Sequence, residues 1–369
     1  MKKIILSALS LFALTTFAEE YKFQNVIDLE STPVISQDRT GTCWSYATTS
    51  FLESEIIRLT GKQIDLSEMY NVRNTYMEKA ENYIYRQGSA QFSQGALGHD
   101  VINSVAKFGL VPLEAFKGKD DSEEKHDHTE MESALKGMAD SFAKARKLSP
   151  KWRQAVSSVL DVYMGENPTE FTFEGKKYTA KSFLTYTKIN PTAYVSLTSF
   201  THQPFNQSFI LNIPDNFSNG SFYNVPIDEL IENIDNALTK GFTIALDCDV
   251  SEVGFSAKEG IAVIPSEEDK EKTFLKEIKP EKTITQEFRQ QEFENFNTQD
   301  DHLMHIVGKV KDQNGNFYYV VKNSWGSGSE RVGNNGYIYM SVPYTKLKTI
   351  SVMIHKDGLS SKTKSSLKI

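Results

Sequence analysis

The chain has 369 residues, with 41 Lys and Arg against 48 Asp and Glu, and a formal net charge of −7. An acidic chain without a Lys/Arg stripe is a poor partner for nucleic acid. Its 39% hydrophobic content and three Trp suit a soluble globular core of one large domain or two lobes, and with only two Cys its stability comes from that core rather than from disulfides.

Residues 1–18 carry Lys2 and Lys3, an apolar run from Ile4 to Ala13 and a small-residue site ending at Ala18. That pattern reads as a cleavable secretory leader, too short for an anchor. No Cys follows the run, which argues against a lipid anchor. The expected location is periplasmic or secreted, with no membrane anchor after cleavage. Removing the leader takes the charge from −7 to −9, because it holds two Lys and no acid.

Residues 19–36 look extended and lead into Gln37-Asp38-Arg39-Thr40-Gly41-Thr42-Cys43-Trp44. An amphipathic pattern then runs from Trp44 to about Thr60 and predicts a helix. Cys43 falls at its N-terminus, where unpaired N–H groups and the helix dipole favour a thiolate. A second helical pattern covers Ile64–Tyr85 with Ser67 as its cap, and a third covers His99–Phe108, closed by Gly109. Between them lies a Gly/Ser/Gln-rich loop that contains Gly95 and Ala96. His126-Asp127-His128 sits in a charged run and reads as a solvated loop, because no partners stand at metal-ligand spacing. Met131–Met164 reads as one or two helices and 166–222 as strands and turns. A helix is expected over Ile227–Thr239 and a strand over Phe242–Leu246, followed by Cys248 as a packed core residue. Residues 283–297, rich in Gln and Glu, read as a surface helix or linker.

A thiolate needs an acid/base, an orienter for it and donors for an oxyanion. The candidates lie about 260 residues downstream, in Asp301-His302-Leu303-Met304-His305-Ile306-Val307-Gly308 and Phe317 to Gly326. Asn314-Gly315 reads as a hairpin turn. That hairpin is expected to set His305 beside Asn323, whose amide oxygen would fix the ring tautomer, with Trp325 as a shield. His302 is the rival base, three residues earlier. In a strand the two face opposite sides, and His302 is assigned to the rim.

Together these pieces resemble the papain-like cysteine peptidases: Gln37–x5–Cys43-Trp44, then His305, then Asn323-Ser324-Trp325-Gly326. Lys107–Pro112, Tyr223–Leu230 and Asp247–Val250 resemble the bleomycin hydrolase or aminopeptidase C branch. The resemblance implies an α+β, papain-like two-lobe fold. A helical lobe would carry the Cys and a β-rich lobe the His and Asn. Residues 19–356 would form the peptidase domain, with a large helical insertion at about 117–222. Residues 357–369 read as a flexible tail. It also implies Cys43 as nucleophile, His305 as acid/base, Asn323 as orienter and Gln37 as oxyanion donor. Gly95, Ala96 and Trp44 would bind a peptide substrate. No metal or other cofactor is expected, and a homo-hexamer follows by analogy alone. The function expected is an exported cysteine peptidase that leans towards aminopeptidase action. An endopeptidase with an open cleft, a cell-wall peptide amidase and a non-catalytic peptide-binding scaffold are the alternatives.

Overall fold

The computed structural model describes residues 19–369; the leader expected over 1–18 lies outside the described residues. Strand β1 (Gln24–Asp28) precedes α1 (Cys43–Thr60). From Cys43 to Ile56 this helix is buried on every side. Its polar side chains therefore need partners. Ser45 donates to the Glu68 carbonyl at 2.8 Å and Ser54 to the Glu30 carbonyl at 3.0 Å. Helix α2 (Glu68–Tyr85) starts at Ser67, whose hydroxyl accepts the Tyr70 N–H at 3.0 Å. Then come α3 (Gly98–Phe108), α4 (Thr129–Ala143) and α5 (Trp152–Met164). A small hairpin of β2 (Phe171–Phe173) and β3 (Lys176–Tyr178) precedes α6 (Ala180–Thr187).

The remainder builds one mixed sheet from β4 (Tyr194–Thr198), β5 (Gln207–Ile210), β6 (Ser221–Asn224), β7 (Ile244–Cys248), β8 (Phe255–Ser256) and β9 (Ile261–Ala262). It continues with β10 (His302–Lys311), β11 (Phe317–Lys322), β12 (Tyr337–Ser341) and β13 (Thr349–His355). The order is β5-β6-β4-β13-β7-β10-β11-β12-β9-β8, with β1 also paired to β10. Helices α7 (Ile227–Thr239), α8 (Gln286–Glu294), α9 (Val342–Lys348) and α10 (Ser361–Leu367) connect or cover it.

Strand alternation divides the apolar residues between two cores. Ala245, Leu303 and Met353 face the core shared with α1 to α6. Their neighbours Leu246, Met304 and Val352 face the opposite core, with α7 and α9. The register of β10 and β11 is not uniform. Lys311 pairs with Phe317 and Gly308 with Val320, but Ile306 pairs with Val321 and His305 with Lys322. A bulge at Val307 thus shifts each partner by one.

Four expectations change. The insertion is not purely helical: α4 to α6 pack on the α1 core, while β4 to β6 extend the main sheet beside β13. Of the two readings for residues 283–297 the helix stands, as α8, and the linker does not, since Arg289 is fully buried and its Nε donates to the Ser199 carbonyl at 2.7 Å. His128 is buried, edge-on to Tyr76, and not solvated. The tail at 357–369 is not free. Helix α10 docks on α7, where Thr363 donates to Glu229 at 2.7 Å and accepts from Asn233 at 2.7 Å. Leu359 and Leu367 enter the α7 core. The tail looked disordered because it holds few apolar residues, but those few are the ones buried. Truncating a buried Leu typically costs about 2–5 kcal/mol. Leu359→Ala should therefore lower the urea-unfolding free energy by that amount; a change under about 0.5 kcal/mol would mean the tail is undocked in solution.

Candidate active site

Three distant segments converge on the loop before α1. Its Gln37 N–H donates to the Ser324 carbonyl at 2.8 Å, and the Gly326 N–H donates to the Ile35 carbonyl at 3.2 Å. On another side, Gly41 N–H reaches Gln94 Oε1 at 2.7 Å and the Trp44 indole N–H reaches the Gln94 carbonyl at 3.0 Å. On a third, the Arg39 N–H donates to the His126 carbonyl at 3.1 Å. The His126–His128 segment, read from sequence as a solvated loop, thus braces the turn that presents Cys43.

These bonds fix Gln37 closely. Its Oε1 accepts the Ser324 hydroxyl at 2.7 Å and its Nε2 donates to the Thr40 carbonyl at 2.6 Å. One amide N–H is left over. Cys43 opens α1, so its backbone N–H belongs to the first-turn donors without an intrahelical partner. The two form a pair of donors beside the thiol, suited to a developing oxyanion.

The histidine beside Asn323 is His302, not His305. His302 Nε2 and Asn323 Oδ1 are 2.7 Å apart. The Ser324 N–H donates to that same Oδ1 at 2.7 Å, which identifies it as the oxygen. His302 must then carry its proton on Nε2, leaving Nδ1 as the free acceptor. Trp325 lies over His302, with ring centroids 4.8 Å apart, and screens the bond. Burial raises the Cys43 thiol, and the backbone of Leu303, the residue after His302, partly offsets it.

His305 is corrected on register. The turn by itself would oppose His305 and Asn323, but the bulge at Val307 pairs His305 with Lys322 instead. Opposed residues share a face and successive residues alternate, so Asn323 faces with His302. His305 is fully buried behind the site, with Nδ1 2.9 Å from the Ser50 hydroxyl. Lys322 donates to Ser50 at 2.8 Å and to Thr32 at 2.9 Å.

The residues expected to bind substrate are also moved. Trp44 and Ala96 are buried, at 1% and 0% exposure, and offer no cleft surface. Gly95 is partly exposed, but its carbonyl is engaged by the Lys79 ammonium. A Cβ at Gly95 would meet the Asp215 carboxylate at 1.9 Å, so that carboxylate lies directly over the glycine.

Burial pushes the Cys43 thiol up to about 12, against the direction expected from its helix position. Burial likewise lowers His302, partly offset by the Asn323 bond. Each group alone is neutral, while a proton passed from Cys43 to His302 makes a pair with no net charge. Glu53, Asp65 and Glu68 are the one trio of ligand-type side chains among the described residues close enough to share a cation. Lys322 already supplies their counter-charge, and Glu53 is bonded to Thr32 and to the Leu66 N–H at 2.8 Å. Cys248 is buried, and neither it nor Cys43 is in a disulfide.

Burial and Lys322 hold His305 well below its ordinary value of 6.5. A histidine kept neutral by the fold contributes stability above its unfolded pKa. That contribution is lost as pH falls from about 6.5 towards the depressed folded value, by at most about 1.4 kcal/mol per pH unit. The stability gap between wild type and His305→Gln should therefore narrow on acidification below pH ~6.5; a gap that is flat with pH would show His305 to be charged in the fold.

The sequence model of the Peptidase C1-like family matches residues 93–369. Aminopeptidase C of Listeria innocua is 24% identical over 378 residues, covering 90% of this chain and 82% of the relative. Aminopeptidase C of Listeria monocytogenes is 25% identical over 369 residues, covering 89% and 81%. Among solved structures, PepW of Lactobacillus rhamnosis HN001 superposes with a TM-score of 0.76 at 19% identity, over 94% of this chain and 84% of that one. With the family model covering most of its length, the chain belongs to the Peptidase C1-like family and is a papain-like cysteine peptidase.

Proposed function

We propose that this chain is an aminopeptidase in which Cys43 is the nucleophile, His302 the acid/base, Asn323 its orienter and Gln37 an oxyanion donor. The observation that carries the assignment is the His302–Asn323 bond, which leaves His302 Nδ1 as the ring acceptor available to the thiol proton. The Cys43 proton passes to His302 Nδ1 and the thiolate attacks a peptide carbonyl. The spare Gln37 N–H and the Cys43 N–H hold the oxyanion, where losing one donor commonly costs about 10²- to 10³-fold in rate. His302 then protonates the departing amine. Water, deprotonated by the same ring, hydrolyses the thioester and frees the thiol. The two Listeria relatives named aminopeptidase C support the lean towards N-terminal residues. The leader read from residues 1–18 supports export.

One observation favours a second reading, an endopeptidase. Residues 361–367 pack with α7, on the sheet face opposite α1, and do not close the side that holds Cys43. Two matched fluorogenic peptides, one with a free N-terminus and one acetylated, separate the two. Cleavage of the free peptide alone supports the aminopeptidase, and equal cleavage of both supports the endopeptidase. Cys43→Ala and His302→Ala should each abolish turnover with far-UV circular dichroism unchanged. His305→Ala should retain turnover within about tenfold. Activity surviving in His302→Ala but lost in His305→Ala would reverse the assignment.

A further inference from the structure

Asp215, Asp247 and Asp300 form a cluster of carboxylates that includes the ladder partner of Leu303, the residue after His302. None has a role in the chemistry above. Asp247 is opposite Leu303 on one side, in the β7–β10 ladder, and opposite Ser351 on the other, in β13. All three therefore share the sheet face that looks towards α1. Asp247 is 2% exposed. The Ser351 hydroxyl donates to its Oδ2 at 3.3 Å, and its Oδ1 has no partner. It lines a small cavity with Leu97, Gly98, Ala245, Leu303 and Met353. A buried carboxylate oxygen without a donor is costly. Here it faces a cavity whose wall, Leu303, directly follows His302 in β10.

The other two acids adjoin it. Asp300 accepts the Asp215 N–H at 3.2 Å and interacts with the Asp247 side chain. Asp215 lies over Gly95 and accepts from Gln91 Nε2 at 3.2 Å. The resident cation is Lys79, which is buried, bonded to the Gly95 carbonyl and 5.0 Å from the centre of the Phe217 ring. Burial raises all three acids, and Lys79 offsets this at Asp215. Their oxygens do not converge tightly enough to hold a shared metal ion among the described residues. The cavity walls combine the apolar Leu97, Leu303 and Met353 with His99, Ser196 and Ser351, and the unmatched Asp247 Oδ1 suits a compact donor.

We infer that Asp247, supported by Asp300 and Asp215, forms a subsite for a primary ammonium of the substrate: the free α-amino group of the residue whose carbonyl Cys43 attacks. This rests on the aminopeptidase reading for the source of the ammonium. A lysine side chain in the residue before the scissile one would present the same group, and the test separates the two.

The test reads Cys43 alkylation, not turnover, using two pairs of chloromethyl ketones on the full chain. One pair is leucyl with a free or an acetylated amine. The other is acetyl-lysyl-leucyl and acetyl-norleucyl-leucyl. A hydrogen bond to a charged partner is worth about 1.5–3 kcal/mol, or roughly 10- to 100-fold. The free-amine reagent should react faster than its acetylated twin by that factor, and Asp247→Asn should collapse the ratio. Asp300→Asn, at a partly exposed position, serves as the second variant should Asp247→Asn lose its circular dichroism signal. A large ratio confined to the lysyl pair, and collapsing in the variants, keeps the ammonium subsite and reassigns the source to the side chain. Ratios near one in the wild type, or ratios unchanged in both variants, overturn the proposal. A ratio that collapses as expected in an enzyme that cuts acetylated peptides equally well would sink the aminopeptidase reading and leave the subsite standing.

Discussion

The site depends on one irregularity in β10. The bulge at Val307 decides which histidine meets Asn323, because a shift of one residue exchanges the faces of a strand. Its cause lies outside the hairpin. Strand β1 runs along the other edge of β10, and the Leu29 N–H takes the Val307 carbonyl at 2.9 Å. Gly308 allows the approach: a Cβ there would meet the Ile27 carbonyl at 2.4 Å. The segment leading to Cys43 therefore also sets the register of the strand that carries its histidine. The bulge makes a proton-bearing His302 and leaves His305 as a buried, uncharged packing residue.

Around this register the protein keeps two polar systems apart on the α1 side. Behind Asn323, the Lys322 ammonium is shared among Ser50, Thr32 and the acids Glu53 and Glu68. Burial pushes Glu53 up to about 7 and Glu68 well above its ordinary value. In that cluster Glu53 is bonded to Thr32 and to the Leu66 N–H. In the cluster of Asp215, Asp247 and Asp300 the ammonium, Lys79, is engaged by Gly95 and Phe217. Buried acids cost the fold much the same in either place; in the second, Asp247 Oδ1 has no hydrogen-bond donor.

Much of this was legible in the sequence. The helix from Cys43, the Ser67 cap and the α7 span follow from periodicity and capping residues that tertiary packing did not override. Residue type and order single out Cys43, Gln37 and Asn323 as candidates. A uniform hairpin and the resemblance to the family pattern both favour His305 over His302; the bulge reverses the first. An Asn-Gly pair gives no hint that the turn takes in residue 313 as well, or that a bulge then restores the parity. Trp44 and Ala96 were misplaced because adjacency to a motif says nothing about burial. The acidic trio was out of reach in a different way. Its members come from a loop, a strand and the approach to another strand, spread over 86 positions from Asp215 to Asp300, and no pattern in the chain marks them as neighbours.

The loop that holds Gln37 and Cys43 is tied to residues 94, 126 and 324–326. The bond from Ser324 to Gln37 closes a span of 287 residues. Contacts of such sequence separation form late, since their loop-closure entropy is met only after much of the chain is in place. A chain still being synthesised has its cysteine early but lacks His302, Asn323 and the Ser324 hydroxyl that holds Gln37. The geometry around Cys43 thus arrives with the last third of the molecule.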